Sequence, residues 1–161
     1  MENSIPAKPW ASLFVCVAIC VAVGGVASWI TASSVSTWYP TLEKPSWTPP
    51  GYLFGPVWSA LYVMMGFALW YVWSTREGTG RRRALWAFAI QLTLNGLWSF
   101  VFFGFRWTGW AALEIAALWV AIVVTIVLFS RVHRAAAWLL VPYLAWVSYA
   151  GALNTKIWLM N

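Results

Sequence analysis

The sequence predicts an all-α integral membrane protein, a bundle of five transmembrane helices. Of its 161 residues, 62% are hydrophobic and only 9% are charged. An ordinary soluble domain carries about 25% charged residues, so the polar surface of a water-facing globule is missing. The apolar residues also fall in five long runs, and one helical span needs ~20 mostly apolar residues. A transmembrane barrel would instead show weak alternation in segments of about ten. One membrane domain over 1–161 is therefore expected, which excludes a soluble enzyme on a small anchor and any second folded domain.

The first span is placed at about 10–34, inside a stretch without charge from Pro9 to Leu42. Glu43 and Lys44 interrupt it, within a proline-rich loop that ends at Pro49-Pro50. Those prolines fix φ and favour a stiff, extended path over which Tyr39 and Trp47 could cover a cavity; they also suit the start of a helix. The second span, about 52–75, is followed by a polar turn of Arg76, Glu77, Gly78, Gly80 and the triplet Arg81-Arg82-Arg83. The third, about 84–105, ends at Arg106. The fourth, about 107–130, holds Glu114 and is closed by Arg131, His133 and Arg134. The fifth is placed at about 135–158. Helices satisfy every backbone group within the bilayer, and short connections make a compact bundle. An odd helix number and no internal repeat argue against an inverted-repeat transporter. The first run is too long for the apolar core of a cleavable signal.

Ten Lys and Arg against four acids give a net charge of +6. The basic residues sit between apolar runs, which is a topology pattern and not a nucleic-acid-binding face. Lys8, Arg76, Arg81, Arg82, Arg83, Arg131 and Arg134 fall on the N-terminal side, and Lys44, Arg106 and Lys156 on the other. Seven against three place the N-terminus in the cytoplasm of a bacterial cell, with the mitochondrial outer membrane as the alternative location. Cys16 and Cys20 form neither a disulfide framework nor a metal quartet. They begin a seam of small residues, Cys16, Cys20, Gly24, Ser28 and Ala32, that lets another helix approach closely.

Chemistry has few places to reside. Gln91, Asn95 and Ser99 share a face of the third helix, with Trp98 and Phe102 beside it. Polar amides in a bilayer need partners, so that face points to the bundle interior or to a cavity. Interhelical bonding suits Gln91, whereas Asn95, deeper among aromatics, could bond a ligand. Trp58 and Tyr62 share a face of the second helix, and Trp146, Ala150 and Asn154 one of the fifth, with Tyr143 a turn before. Such stripes are usually core; three of them, each with polar tips, also describe a pocket for a large flat apolar ligand. Glu114 is costly inside a membrane and so is either functional, close to the headgroups or bonded to an indole. His133 reads as a solvated loop residue, with haem ligation a remote alternative. No Ser/His/Asp set, phosphate cradle or metal-spaced cluster is present, so no metal is expected.

Trp38-Tyr39, Leu42, Lys44-Pro45-Ser46-Trp47-Thr48-Pro49-Pro50, Phe54, Val57-Trp58 and Leu61-Tyr62 resemble the signature of the TspO/MBR family. Gln91-Leu92, Leu94-Asn95, Trp98-Ser99 and Phe102-Phe103-Gly104 are similar to its third-helix motif, and Pro142-Tyr143-Leu144, Trp146, Ala150 and Leu153-Asn154 to its fifth. The resemblance implies a five-helix bundle, commonly a homodimer, that binds porphyrins such as protoporphyrin IX and haem, and synthetic aromatic ligands, beneath the first loop. Porphyrin or haem would be ligand and no cofactor is required. The ligand-binding residues it implies, joined to those of the stripes above, are Tyr39, Trp47, Trp58, Tyr62, Asn95, Trp98, Phe102, Tyr143, Trp146 and Ala150. Some bacterial members degrade protoporphyrin in light, and there Trp58 and Trp146 would be the catalytic residues. The cholesterol motif of vertebrate members is not supported. Thr155 takes the place of its tyrosine, and six residues intervene between Tyr149 and Lys156. Three functions are therefore expected in order: a porphyrin-binding receptor or transporter in tetrapyrrole regulation or stress response, a light-dependent porphyrin-degrading enzyme, and a regulatory module for another membrane protein.

Overall fold

The computed structural model describes residues 9–75 and 78–161. Lys8 and Arg76, which enter the charge count above, lie outside the described residues. Among the described residues, five helical spans are long and apolar enough to cross a membrane: Trp10–Thr37, Gly51–Trp73, Thr79–Gly104, Thr108–Val132 and Arg134–Met160. No strand occurs among the described residues.

Helix α1 (Pro9–Thr37) opens on a proline, whose missing N–H costs nothing in a first turn. A 3₁₀ turn at Tyr39–Thr41 and another at Gly51–Leu53 bracket the loop. Helix α2 (Phe54–Trp73) carries Pro56 in its first turn, again where no amide partner is lost. Helix α3 (Thr79–Ser99) starts five residues before the sequence suggested, so the arginine triplet forms its first turn and not a polar loop. It passes into one π-helical turn, Phe100–Gly104, where Phe105 N–H bonds the Phe100 carbonyl at 2.8 Å. Arg106 then takes a positive φ of 61° to reverse the chain. Helix α4 (Thr108–Val132) returns across the membrane. The last span is broken into α5 (Arg134–Leu139) and α6 (Val141–Met160). Pro142 explains the break, because its ring collides with the carbonyl four residues earlier and it donates no hydrogen bond.

The helices meet as α1 on α2 and α3, α3 on α4, α4 on α6, and α2 on α5. Close approach is set by small residues. A Cβ on Gly66 would lie 2.6 Å from the Val17 Cα, and one on Gly24 2.5 Å from the Tyr62 ring. The small-residue seam of α1 is only half realised. Cys16, Cys20 and Gly24 are buried, but Ser28 and Ala32 are exposed and the buried line continues through Ala27 and Ser34. A spacing of four drifts around a helix of 3.6 residues per turn, so a straight seam leaves the interface after about two turns. Ser34 uses its place there to donate to the Phe103 carbonyl at 2.7 Å.

The outside of the bundle is apolar: Trp29 is 81% exposed, Trp10 79% and Phe14 75%. Soluble monomers do not carry contiguous surfaces of this kind, and lipid is the solvent that suits them. The inside holds one large core, with Phe88 stacked on Phe129 at 5.7 Å, and a satellite of Phe102, Ala111, Leu153 and Ile157 towards the loop end.

Candidate functional site

Three helices contribute one buried polar chain. The Tyr62 hydroxyl of α2 donates to Asn95 Oδ1 of α3, and Asn95 Nδ2 donates to the Tyr143 hydroxyl of α6 at 2.9 Å. Asn95 is 3% exposed and Tyr143 fully buried. The indole of Trp58 lies against both tyrosines, with ring centroids 5.8 Å from Tyr62 and 6.3 Å from Tyr143. Asn95 was a candidate ligand donor from sequence; in this arrangement both of its amide atoms are already engaged, and it fixes the two phenols that flank Trp58.

Towards the loop, aromatic contact continues along α6. Trp146 meets Phe54 at 5.8 Å and Tyr149 at 5.7 Å, and Tyr149 meets Trp47 at 5.6 Å. Ala150 is buried one turn further on. Trp146 Nε1 is buried without a hydrogen-bond partner among the described residues. An indole N–H is a donor only, so this group is ready for an acceptor.

Tyr39, Trp98 and Phe102 gather in the satellite cluster. Trp98 stacks on Phe102 at 5.1 Å, and Tyr39 meets Phe102 and Phe103 at 6.3 and 5.8 Å. The Trp98 indole donates to Asn154 Oδ1 at 3.0 Å, and Asn154 Nδ2 donates to the Thr108 carbonyl at 2.8 Å. The ten residues expected from sequence thus fall into a deep group of Trp58, Tyr62, Asn95 and Tyr143, an α6 wall of Trp47, Trp146 and Ala150, and this outer group. Phe54 and Tyr149, which join Trp146 and Trp47 to their surroundings, were not picked out as site residues. The spacing of Trp146 and Tyr149, three apart on one helix, is the signal that could have found the second.

The loop is fastened over this region. Lys44 Nζ donates to the carbonyls of Tyr39 at 2.9 Å and Leu42 at 2.8 Å, and its charge sits 5.0 Å from the Tyr39 ring centre. The Tyr149 hydroxyl donates to the Trp47 carbonyl at 2.7 Å. Glu43 N–H donates to Asn161 Oδ1 and Asn161 Nδ2 to the Glu43 carbonyl, each at 3.0 Å. Arg106 lies 5.8 Å from the Trp38 ring centre, which ties the α3–α4 turn to the same loop. Burial pushes the Tyr39 phenol above its ordinary value, and the neighbouring Tyr149 adds to this. Aromatic rings fill the space beneath the loop by packing on one another. The two cavities described, of about 570 and 420 Å³, are lined by other residues.

Two sequence expectations, for Gln91 and His133, are corrected, and for Glu114 one of three alternatives falls away. Gln91 is fully buried, yet neither amide atom has a partner among the described residues, so the interhelical bond expected of it is not made. Glu114 has both oxygens buried and, among the described residues, bonds no indole. His133 is not a solvated loop residue: its ring stacks on Tyr71 at 4.6 Å and its backbone caps α5. Among the described residues no three His, Cys, Asp or Glu come together to hold a metal.

Fold and surface define an integral membrane protein whose interior is organised around aromatic side chains from α2, α3 and α6. Comparison with known proteins places it more narrowly. The TspO/MBR family profile matches residues 16–159. The chain is 44% identical to Tryptophan-rich protein TspO of Chlorobaculum tepidum over 155 residues, covering 93% of this chain and 96% of that one. It is 40% identical to the Translocator protein of Homo sapiens over 126 residues, 77% of this chain and 75% of that one. It is 36% identical to the Tryptophan-rich sensory protein of Cereibacter sphaeroides over 124 residues, 77% of each. The chain belongs to the TspO/MBR family.

Proposed function

We propose that this protein is a membrane receptor or transporter-like protein for porphyrins, protoporphyrin IX and haem among them, and for related flat hydrophobic ligands, held between α2, α3 and α6 beneath the first loop. The observation that carries the reading is the Trp146 indole, whose buried N–H lacks a partner among the described residues in a wall otherwise made of aromatic faces. A macrocycle bearing carboxylates offers both the flat surface that such a wall stacks on and an acceptor for that N–H. Admission of the ligand requires the rings now in contact to part and the loop to lift from Tyr149 and Asn161. The reading includes a bacterial cell membrane with the N-terminus in the cytoplasm, and a homodimer. Its support is the groove of about 420 Å³ between α1 and α3, where Ala22, Ala27 and Gly96 permit a second helix to approach.

A second reading, light-dependent degradation of the bound porphyrin, is favoured by one feature. Trp58 lies against two tyrosines, and an indole flanked by phenols is a readily oxidised group beside a photoexcited ring. The test titrates purified protein with protoporphyrin IX in darkness and then in light. Trp58→Ala should weaken dark binding about five- to 150-fold, the range for a lost aromatic anchor of ~1–3 kcal/mol. Trp146→Phe should keep binding within roughly tenfold. Unchanged affinity in both variants would move the site elsewhere. Equal bleaching rates in wild type, Trp146→Phe and empty micelles would remove the enzymatic reading and leave the receptor.

A further inference from the structure

The first loop is tied to the bundle differently on its two sides. Towards α1 and α3 the ties are many. Trp38 packs on Phe102 at 5.7 Å, Tyr39 packs on Phe103 at 5.8 Å, and Arg106 lies over the Trp38 ring. Lys44 adds its bonds to the carbonyls of Tyr39 and Leu42. Towards α6, hydrogen bonds from two residues hold the loop among the described residues: Tyr149 at the Trp47 carbonyl and Asn161 at the Glu43 backbone.

Beneath that second side α2 and α6 diverge. The α2 backbone packs along α5 but makes no comparable approach to α6. The last span is broken at Leu140, before Pro142, and beyond the break rings reach across the gap: Trp58 to Tyr143 at 6.3 Å and Phe54 to Trp146 at 5.8 Å. No hydrogen bond runs directly from α2 to α6 among the described residues; at the deep end Asn95 of α3 joins Tyr62 to Tyr143. Phe54, Trp58, Trp146 and Tyr149 are each half-buried, so the seam reaches the outer surface of the bundle.

We propose that this seam is a lateral gate. The loop swings on its α1–α3 side, the loop ends of α2 and α6 separate, and the ligand enters from the bilayer instead of from the water above the loop. The inference rests on the porphyrin reading of the pocket and adds its source, ligand dissolved in the membrane. The solvent on each side decides the route. Parting Phe54 from Trp146 towards lipid exposes both rings to hydrocarbon, which is as apolar as the contact they leave, so little hydrophobic free energy is lost. Lifting the loop off towards water exposes the same rings to water and breaks the Lys44 bonds as well. A flat apolar macrocycle also partitions into the bilayer, so the lipid-facing entrance meets the larger supply.

Stopped-flow fluorescence of protoporphyrin IX with the full chain in liposomes tests the route, because a gate changes association and release together and leaves affinity alone. Asn161→Ala, which unfastens the α6 side, should speed both by about two- to tenfold, the worth of one or two hydrogen bonds. Gly55 is exposed, stands beside Phe54 and within a turn of Trp58, and has nothing within 4 Å of an added Cβ. Gly55→Trp should therefore slow association and release by at least about fivefold, whereas Ser46→Trp on the exposed loop should change them less than about twofold. The reverse pattern would overturn the gate in favour of entry from water. A second measurement needs no porphyrin. Ala150→Cys, buried one turn beyond Trp146, is made in a Cys16→Ala/Cys20→Ala background. A maleimide dissolved in the bilayer should modify it faster than a charged thiol reagent in water, and Asn161→Ala should raise the faster rate. Faster modification by the charged reagent would overturn the gate. Lipid-phase labelling that persists in a protein without porphyrin affinity would overturn the porphyrin reading alone and leave the seam as the way in.

Discussion

Replacing Asn95 by alanine removes the two hydrogen bonds through which this residue joins α3 to α2 and to α6. The residue is 3% exposed, accepts from the Tyr62 hydroxyl and donates to Tyr143 at 2.9 Å. Side-chain hydrogen bonds between membrane helices contribute ~0.6 kcal/mol on average and up to ~1.7. Two of them give about 1–3 kcal/mol, to which the volume of the missing amide adds a cavity cost. That corresponds to roughly a five- to 150-fold change in the unfolding equilibrium. Reversible unfolding in mixed micelles with increasing SDS measures it. Tyr62→Phe and Tyr143→Phe each remove one bond and should each cost less than Asn95→Ala. The double variant Tyr62→Phe/Asn95→Ala should be less destabilised than the sum of its parts, by about the energy of the shared bond. A cost below ~0.3 kcal/mol for Asn95→Ala, or strict additivity in the double variant, would refute the claim that this chain of three side chains holds the helices in register.

Other outcomes follow from single contacts. Gly66→Ala should destabilise by about 1–3 kcal/mol, since its Cβ meets the Val17 backbone at 2.6 Å and α1 must move away from α2. Gly25→Ala, with nothing within 4 Å, should be neutral or slightly stabilising in the same unfolding assay, which separates contact from helix propensity. Tyr39 has its phenol pKa raised in the folded state, so its contribution is complete below the ordinary value near 10 and is lost as pH rises through the folded value. Melting temperatures should therefore fall more steeply above pH 10 in wild type than in Tyr39→Phe. Cysteine labelling in intact cells should modify Ser46→Cys with an impermeant reagent and spare Thr79→Cys; the reverse pattern would invert the orientation read from the basic residues.

Hydropathy alone determined the spans, to within five residues at every end, because a bilayer tests a local, one-dimensional property: whether ~20 consecutive side chains tolerate hydrocarbon. The candidate site residues were singled out for a related reason. A tryptophan, tyrosine or asparagine inside a span has few tolerable environments, so Trp58, Tyr62, Asn95, Tyr143 and Trp146 stand out before any fold is known. Their partners were not legible. Whether Asn95 meets a ligand or two tyrosines, and whether Gln91 and Trp146 find an acceptor, depends on the rotation of each helix and on interaxial distances set by Gly24 and Gly66. The seam of α1 shows the same limit on a small scale: residues four apart share a face only until 3.6-residue turns carry them off it, and packing against α2 and α3 selected Ala27 and Ser34 over Ser28 and Ala32. Likewise Arg81, Arg82 and Arg83 read as loop from their charge, yet the helix begins before them, since arginine is itself a good helix former and charge does not decide backbone conformation. Sequence fixes what each segment can tolerate, whereas the contacts between segments are non-local and exist only once the helices have packed.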